Sequence, residues 1–435
     1  MSEVVYTEPV PHSRKEVNMK NSLKKYVDYI VKNNNKVTML GIGPMSPNLI
    51  QACFELGRDL EMPIMFIASR NQVDADEFGA GYVNGWDQYR FAADLKAIAD
   101  KVNFDGDYFL CRDHGGPWQR DAERSNHLPE AEAMKLARKS YMEDMKAGFH
   151  LLHIDPTKDP YVVGKVIDVN VVLDRTIDLI EFCEEYRKEN NLPEVFYEVG
   201  TEETNGGLTS LETFENFIVT LSERLEEKGL PQPVFIVGQT GTLTRLTQNV
   251  GHFTEVQSHQ LGQIAARYGV GLKEHNGDYL PDDILLKHPG LGITAMNVAP
   301  AYGTIETRAY LKLHEVEKDL ASKKLISNCS SFTLQLKKEC VISHKWKKWM
   351  TEEHKNITDE ELIKNEDLLQ VVCELSGHYN YEKESVLREK EIMFTNLEKF
   401  GVDPSRYLIN KIKDMIQNEA ECFNMPGLTK SVSEM

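Results

Sequence analysis

The 435-residue chain is 41% hydrophobic and 27% charged, the balance of a globular protein with a large core, and nothing in it points to disorder. Its formal net charge of −18 opposes phosphate backbones and anionic lipid, so neither nucleic acid nor a membrane surface is an expected partner. No stretch approaches the roughly eighteen apolar residues of a spanning helix, and Met1–Tyr6 carry no basic-then-apolar signal, which makes a cytoplasmic protein the expectation.

After an N-terminal segment of residues 1–36, short β-branched or apolar runs alternate with longer amphipathic stretches. The strand candidates are Val37–Ile42, Pro63–Ala68, Asp107–Arg112, Leu151–Asp155, Val195–Val199, Val234–Val237, Val270–Glu274 and Ile293–Val298. Eight βα units over roughly 250 residues predict an α/β fold, a closed (β/α)8 TIM barrel across residues 37–310, with its working groups on the loops after the strands. An open doubly wound sheet would instead favour a glycine-rich phosphate loop after its first strand. Gly41-Ile42-Gly43-Pro44-Met45 lacks the third glycine, and Pro44 removes an amide where that fold uses one.

Thr209-Ser210-Leu211-Glu212 predicts a capping box for a helix running to Glu227, with Gly229 as its stop, and Gly148 ends the helix that starts near Pro129. Beyond about Gly303 the pattern becomes helical and charged, through Glu315–Leu325, Lys345–Lys355 and Glu384–Phe400, and residues 311–435 are expected to form a C-terminal helical extension. Trp346 and Trp349, three apart, are placed on one helical face. The seven cysteines are scattered without a Cys-x-x-Cys, which favours reduced thiols over a disulfide framework or a cysteine zinc site. Cys111, inside a buried run, reads as packing.

Side chains projecting from different strand ends of a barrel converge, which is how three or four ligands hold a catalytic divalent metal with an open position. Among thirteen histidines, His114, His153 and His275 fall at or beside strand ends. His114 and His275 are the expected ligands, with Glu202 and Asp155 at other strand ends; His153, two residues before Asp155, is expected as a hydrogen-bond partner behind them. Asp113 is the expected acid/base, with Glu202 and Asp155 as alternatives. The cation is expected to be zinc, with manganese or nickel also compatible.

In order along the chain, Ser69-Arg70-Asn71-Gln72-Val73, Asp113-His114-Gly115-Gly116-Pro117, Ala147-Gly148-Phe149 with His153-Ile154-Asp155, Gly200-Thr201-Glu202 with Gly206-Gly207, and Glu274-His275 with Asp278-Tyr279 resemble the D-tagatose-1,6-bisphosphate aldolase family. The similarity is to its large subunit, often called non-catalytic. This resemblance implies a metal-dependent aldolase-type enzyme or subunit that cleaves a ketose between C3 and C4, with a small sugar or sugar phosphate as ligand. It also implies a partner aldolase subunit or a homo-oligomer. Class II aldolases carry an Asp-His pair after the third strand and a His after the seventh, matching Asp113, His114 and His275. Related ketose and hexuronate C4-epimerases carry similar segments, among them Ile154-Asp155-Pro156. The remaining reading is a non-catalytic subunit that stabilises a partner.

Two departures bear on chemistry. Gly238-Gln239-Thr240-Gly241 lacks the further His that a catalytic class II aldolase carries after the sixth strand, which leaves the metal shell to be completed by Glu202 or Gln239, or leaves it empty, and Asn276-Gly277-Asp278-Tyr279 replaces a Gly-Gly-Ser-Gly phosphate loop. Substrate contacts are then expected from Asn71, Arg70, Arg112, Asp278 and Arg308, or from Gly303-Thr304. Discrimination for phosphate is expected to be weak, with free ketoses or hexuronates epimerised at C4.

Overall fold

A computed structural model describes residues 20–162, 167–200 and 208–435. Eight parallel strands close into a barrel: β1 (Met39–Ile42), β2 (Ile64–Ser69), β3 (Tyr108–Gly115), β4 (Leu151–Ile154), β5 (Phe196–Gly200), β6 (Phe235–Val237), β7 (Gly271–Glu274) and β8 (Ile293–Val298). Each pairs with its neighbours in sequence, and β1 closes on β8 through Met39↔Ala295 to Ile42↔Val298. All eight expected runs are strands; Ile293–Val298 matches at both ends, and the ends of the others differ by at most three residues. Their near-continuous burial follows from the architecture, because helices cover the outer face and side-chain layers fill the inner one.

The intervening helices start where side-chain oxygens satisfy free amides: Ser46, Asp87, Ser210 and Thr254 each accept from the third amide of the helix that follows. Ser210 therefore caps Leu211–Glu227 on its own. Its third helical residue is Thr213, so the reciprocal Glu of a capping box is absent. At the opposite end of the barrel from the strand C-termini, buried Asp107 accepts the Asn21 amide and the Tyr26 hydroxyl, at 2.7 Å for the latter, and so fixes the helix Leu23–Val31.

Between β6 and β7 the chain forms a small antiparallel hairpin, Thr244–Arg245 with Gln248–Asn249, that the sequence pattern did not suggest. The Leu246 amide at its turn donates to the Trp349 carbonyl at 2.8 Å, tying the barrel face to the C-terminal region. The last barrel helix, Pro300–Ser322, runs without a break through residue 310 into that region. Further helices pack there around two apolar clusters, one including Tyr310, Phe332, Leu336 and Met393, the other Val341, Trp346, Leu362 and Val372. The expected helix Lys345–Lys355 is instead a 3-10 turn, Lys345–Trp349, followed by turns. Trp346 is wholly buried there, Trp349 only partly, and a genuine capping box, Thr358 with Glu361, starts the next helix.

The chain then returns to the barrel. The helix Pro404–Cys422 lies on Pro47–Asp59, and its Ile409, Ile412 and Ile416 join the barrel core. All seven cysteines are free, and no described helix is long and apolar enough to cross a membrane.

Glu55 anchors this return by accepting from Arg406 at 2.8 Å and Lys413 at 3.2 Å. Burial would raise its pKa, but the hydrogen bonds from Gln51, Arg406 and Lys413 outweigh it and hold the carboxyl at about 2 against an ordinary 4.5. A depressed carboxyl contributes stability above its unfolded pKa and loses it as the pH falls through the folded one. Glu55→Gln should therefore cost about 1–2 kcal/mol at pH 7, after discounting for the exposed arginine. In urea unfolding the two curves should converge as the pH is taken from 4.5 toward 2; a gap that stays constant over that range would show that the pair contributes nothing ionic.

Candidate metal centre

Neighbouring residues of a regular strand point to opposite faces, so Asp113 and His114 should not share a site. They do because the register between β3 and β4 shifts between Arg112 and Gly115, and His114 adopts φ +44°. Such a bulge re-aims side chains at the mouth of a barrel. Gly116 follows at φ +121°, and a Cβ there would lie 2.6 Å from the Asp155 carbonyl oxygen, so the turn requires glycine. His114 is held in a conformation uncommon for a residue with a side chain, a local cost found characteristically at functional sites.

The two imidazoles are each fixed from behind by a buried carboxylate. His114 Nδ1 lies 2.6 Å from Asp155 Oδ2, and His275 Nε2 lies 2.7 Å from Glu198 Oε1. Burial would raise both carboxyl pKa values. His114 and His153 beside Asp155, and Lys273, His153 and His275 beside Glu198, instead hold them well below the carboxylate range. Ionised carboxylates at these distances require the proton on His114 Nδ1 and on His275 Nε2. With both rings neutral, the lone pairs of His114 Nε2 and His275 Nδ1 would face each other across 3.2 Å; burial lowers the His114 pKa, but Asp113 and Asp155 outweigh it and raise it, so without a metal a proton on His114 Nε2 fills the gap. Two lone pairs at that distance repel unless a cation or proton lies between them. Two nitrogens at ~2.0–2.1 Å from a tetrahedral ion stand about 3.3 Å apart, so the pair is spaced for a divalent metal.

Asp113 Oδ1 completes the cluster at 4.0 Å from His114 Nε2 and 3.8 Å from His275 Nδ1, and is held by the Asn297 amide at 3.0 Å. His153 lies within the same group of donor atoms. Its Nδ1 accepts the His114 amide at 3.2 Å, as a supporting partner would, while its Nε2 is buried with no partner among the described residues. Burial lowers the His153 pKa to about 4, so this ring is neutral. Beneath the histidines, the buried Lys273 ammonium meets Glu198 Oε2 at 2.5 Å and balances its charge.

The structure sorts the expected residues. Asp113, His114 and His275 come together at the floor of a cavity of about 540 Å³, which Asn71 and Asp278 also line. Asn71 exchanges hydrogen bonds with Asp121, and Asp278 Oδ1 accepts the Ala299 and Ala301 amides, capping the helix Pro300–Ser322. Burial raises the Asp278 pKa to about 6, against those amides. Asp155 does not line the cavity. It is spent on the His114 ring and Thr157, which removes it as an acid/base. Gln239 is buried beyond β6 and also lies off the cavity wall. Glu202 lies outside the described residues.

Three arginines were misread. Arg70 is wholly buried between Asp74, Glu123 and the Gly116 carbonyl; Arg112 is equally buried, on Asp144 and the carbonyls of Ala68 and Val73. Both brace the loops after β2 and β3 from within and cannot reach a substrate. Arg308 is on the surface, paired with Glu374 at 2.7 Å, away from the cavity lining. The Gly303 and Thr304 positions are buried inside a helix.

Glu198, Lys273 and Asn297 escaped the sequence reading. Each is a polar residue inside an otherwise apolar strand run, and opposite charges at inward positions of β5 and β7 are the signal that would have found two of them.

A model of the family described as D-tagatose-1,6-bisphosphate aldolase subunit GatZ/KbaZ-like matches residues 23–419. No curated protein matches the chain. Among solved structures, a probable tagatose 6 phosphate kinase from Sinorhizobium meliloti 1021 superposes with a TM-score of 0.72 at 18% identity, covering 88% of this chain and 100% of that one. At that identity the likeness establishes the barrel with its C-terminal helices and nothing further. The YdjI aldolase from Escherichia coli K12 gives a TM-score of 0.42 at 11% identity over 88% of this chain and 97% of that one, too distant to carry an argument.

The hydrogen bonds behind each ring make a graded prediction. His114→Ala and His275→Ala should each abolish stoichiometric metal binding, while Asp155→Asn, which weakens the hold on one ring, should reduce metal affinity about 10–100-fold. Competitive titration with a chromophoric chelator measures all three. Unchanged affinity in both alanine variants would place the metal elsewhere.

Proposed function

Since this chain belongs to the GatZ/KbaZ-like family of D-tagatose-1,6-bisphosphate aldolase subunits, we propose that it is a metal-dependent class II aldolase-type enzyme that cleaves a ketose between C3 and C4. The observation that carries the reading is the pair of imidazole nitrogens facing each other at 3.2 Å beside Asp113 at the cavity floor. A scaffold that served only to stabilise a partner aldolase would have no use for two rings each aligned by its own buried carboxylate. Association with an aldolase subunit, or with further copies, is compatible with this chemistry.

His114 and His275 would hold a divalent cation, which when bound would supply the electrophile that draws electrons toward the substrate ketone oxygen. Two imidazole nitrogens with the remaining positions open to oxygen suit zinc, and also manganese or nickel. Asn297 holds Asp113 Oδ1, which leaves Oδ2 to face the cavity and take the proton of the substrate C4 hydroxyl. As that proton leaves, the C3–C4 bond breaks, the C4 fragment becomes an aldehyde, and the electron pair enters the C2–C3 bond. In the reverse direction Asp113 returns the proton to the C4 oxygen. Lys273 and Glu198 keep a balanced charge pair below the histidines, so the floor stays rigid and closed to water.

A second outcome of the same chemistry is favoured by the roof. Lys348, Trp349 and Tyr379 from the helical extension line the cavity, a wall that would retain the aldehyde while it rotates. Rotation and re-addition give the C4 epimer.

Asp113→Asn should keep its metal and lose on the order of a hundredfold or more in kcat, for cleavage and epimerisation alike. The assay follows triose release and C4-epimer formation by chromatography alongside metal content. Turnover at the parent rate would remove Asp113 from the proton transfer.

A further inference from the structure

Among the described residues, four cations line the cavity, each from a different segment: Arg124 after β3, Lys158 after β4, Arg245 on the hairpin after β6, and Lys348 in the extension. In a chain of net charge −18 this is a concentrated exception. Three carboxylates share the lining, and two of them are committed elsewhere, Asp113 to the donor cluster and Asp278 to a helix terminus. Among the described residues, Asp121 is the remaining lining carboxylate, and it sits among the cations. It pairs with Arg124, lies 3.7 Å from Lys345, and interacts with Lys348 and Lys158 as well. One carboxylate among these cations leaves an excess of positive charge.

The positions of two of them are set by the join between barrel and extension. Arg245 and Lys348 sit on adjoining segments linked by the Leu246-to-Trp349 hydrogen bond of 2.8 Å. The Tyr82 and Tyr379 rings, 4.5 Å apart, make a second tie from the loop after β2. Lys348 lies over the faces of Trp349 and Tyr379, at 5.0 and 5.2 Å, which restricts a side chain that would otherwise sample many rotamers. The Trp349 indole nitrogen, also in this wall, is buried without an acceptor among the described residues.

We propose that the helical extension completes the substrate site: Lys348 and Arg245 select a ketose that carries an anionic group, a phosphate ester or a carboxylate, at the end remote from the histidines. This rests on the reading of the cavity as a ketose site and revises the expectation of weak discrimination. That expectation depended on Arg70, Arg112 and Arg308, which prove to be structural, whereas the cations that do reach the cavity were not singled out in the sequence.

The test is calorimetric titration of the full-length, metal-loaded chain with D-tagatose, D-tagatose 6-phosphate and D-tagaturonate, for the parent, Lys348→Gln and Arg245→Gln. Exposed Lys318→Gln, in the helix Pro300–Ser322, serves as the charge control. The parent should bind at least one anionic sugar about tenfold or more tightly than D-tagatose, and which one identifies the anion. Each cavity variant should cut that ratio about tenfold, as expected for a charge-assisted hydrogen bond, and the control should leave it unchanged. Equal affinity of the parent for neutral and anionic sugars would overturn the proposal. So would cavity variants that weaken all three sugars alike, the sign of a purely structural role. Binding is read without turnover, so a preserved anion preference in a protein that neither cleaves nor epimerises would sink the reaction and leave this site standing.

Discussion

Two imidazole nitrogens held 3.2 Å apart, a gap that only a cation or a proton can fill, are the constraint on which the rest of the site depends. His114 and His275 come from strands β3 and β7, across the barrel from each other, and neither can turn away because Asp155 and Glu198 grip the far side of each ring. Buried, ionised carboxylates are costly unless paired, and here the pairing is with the imidazoles and with Lys273. The same hydrogen bonds that satisfy the carboxylates therefore orient the rings. The bulge at Asp113–His114 brings a third donor to the same point, at the cost of a left-handed backbone conformation at His114.

Around this floor the barrel puts rigidity where the chemistry needs it. Arg70 and Arg112, buried with Asp74, Glu123 and Asp144, lock the loops after β2 and β3 from inside. Gly41 shows how tightly the opposite side is packed: a Cβ there would come within 2.2 Å of Oδ1 of Asn297, the residue that holds Asp113. Above the floor, walls of different origin meet, strand-end loops on one side and the helical extension on the other. The extension is thus part of the cavity, and it is bound back to the barrel both at the Leu246–Trp349 join and through the helix Pro404–Cys422.

The eight strands were legible because the period of apolar runs and helical stretches is long and regular, and a closed barrel buries every strand on both faces. The histidine ligand candidates were legible for the same reason, since a strand end can be counted to within a residue or two. What the sequence did not carry is which arginine faces inward. Arg70 and Arg112 flank strand ends as a substrate-binding residue would, yet their acidic partners lie as far away as Glu123 and Asp144, and pairing across such distances leaves no local pattern. Arg245 and Lys348 carry no sequence signal because the segments that make them a wall, a short hairpin and a 3-10 turn, have no periodic signature. The polar pairs inside β5 and β7 were readable in principle: a Glu and a Lys within apolar strands need each other.

The central claim is that a divalent cation sits between His114 and His275. Anomalous diffraction from crystals of the metal-loaded chain, recorded above and below the absorption edge of the metal it carries, addresses this directly. The account predicts one strong anomalous peak within coordinating distance of His114 Nε2 and His275 Nδ1, roughly 2.0–2.2 Å from each. A metal-loaded crystal whose anomalous peak lies elsewhere, with the two rings still in mutual contact, would contradict it.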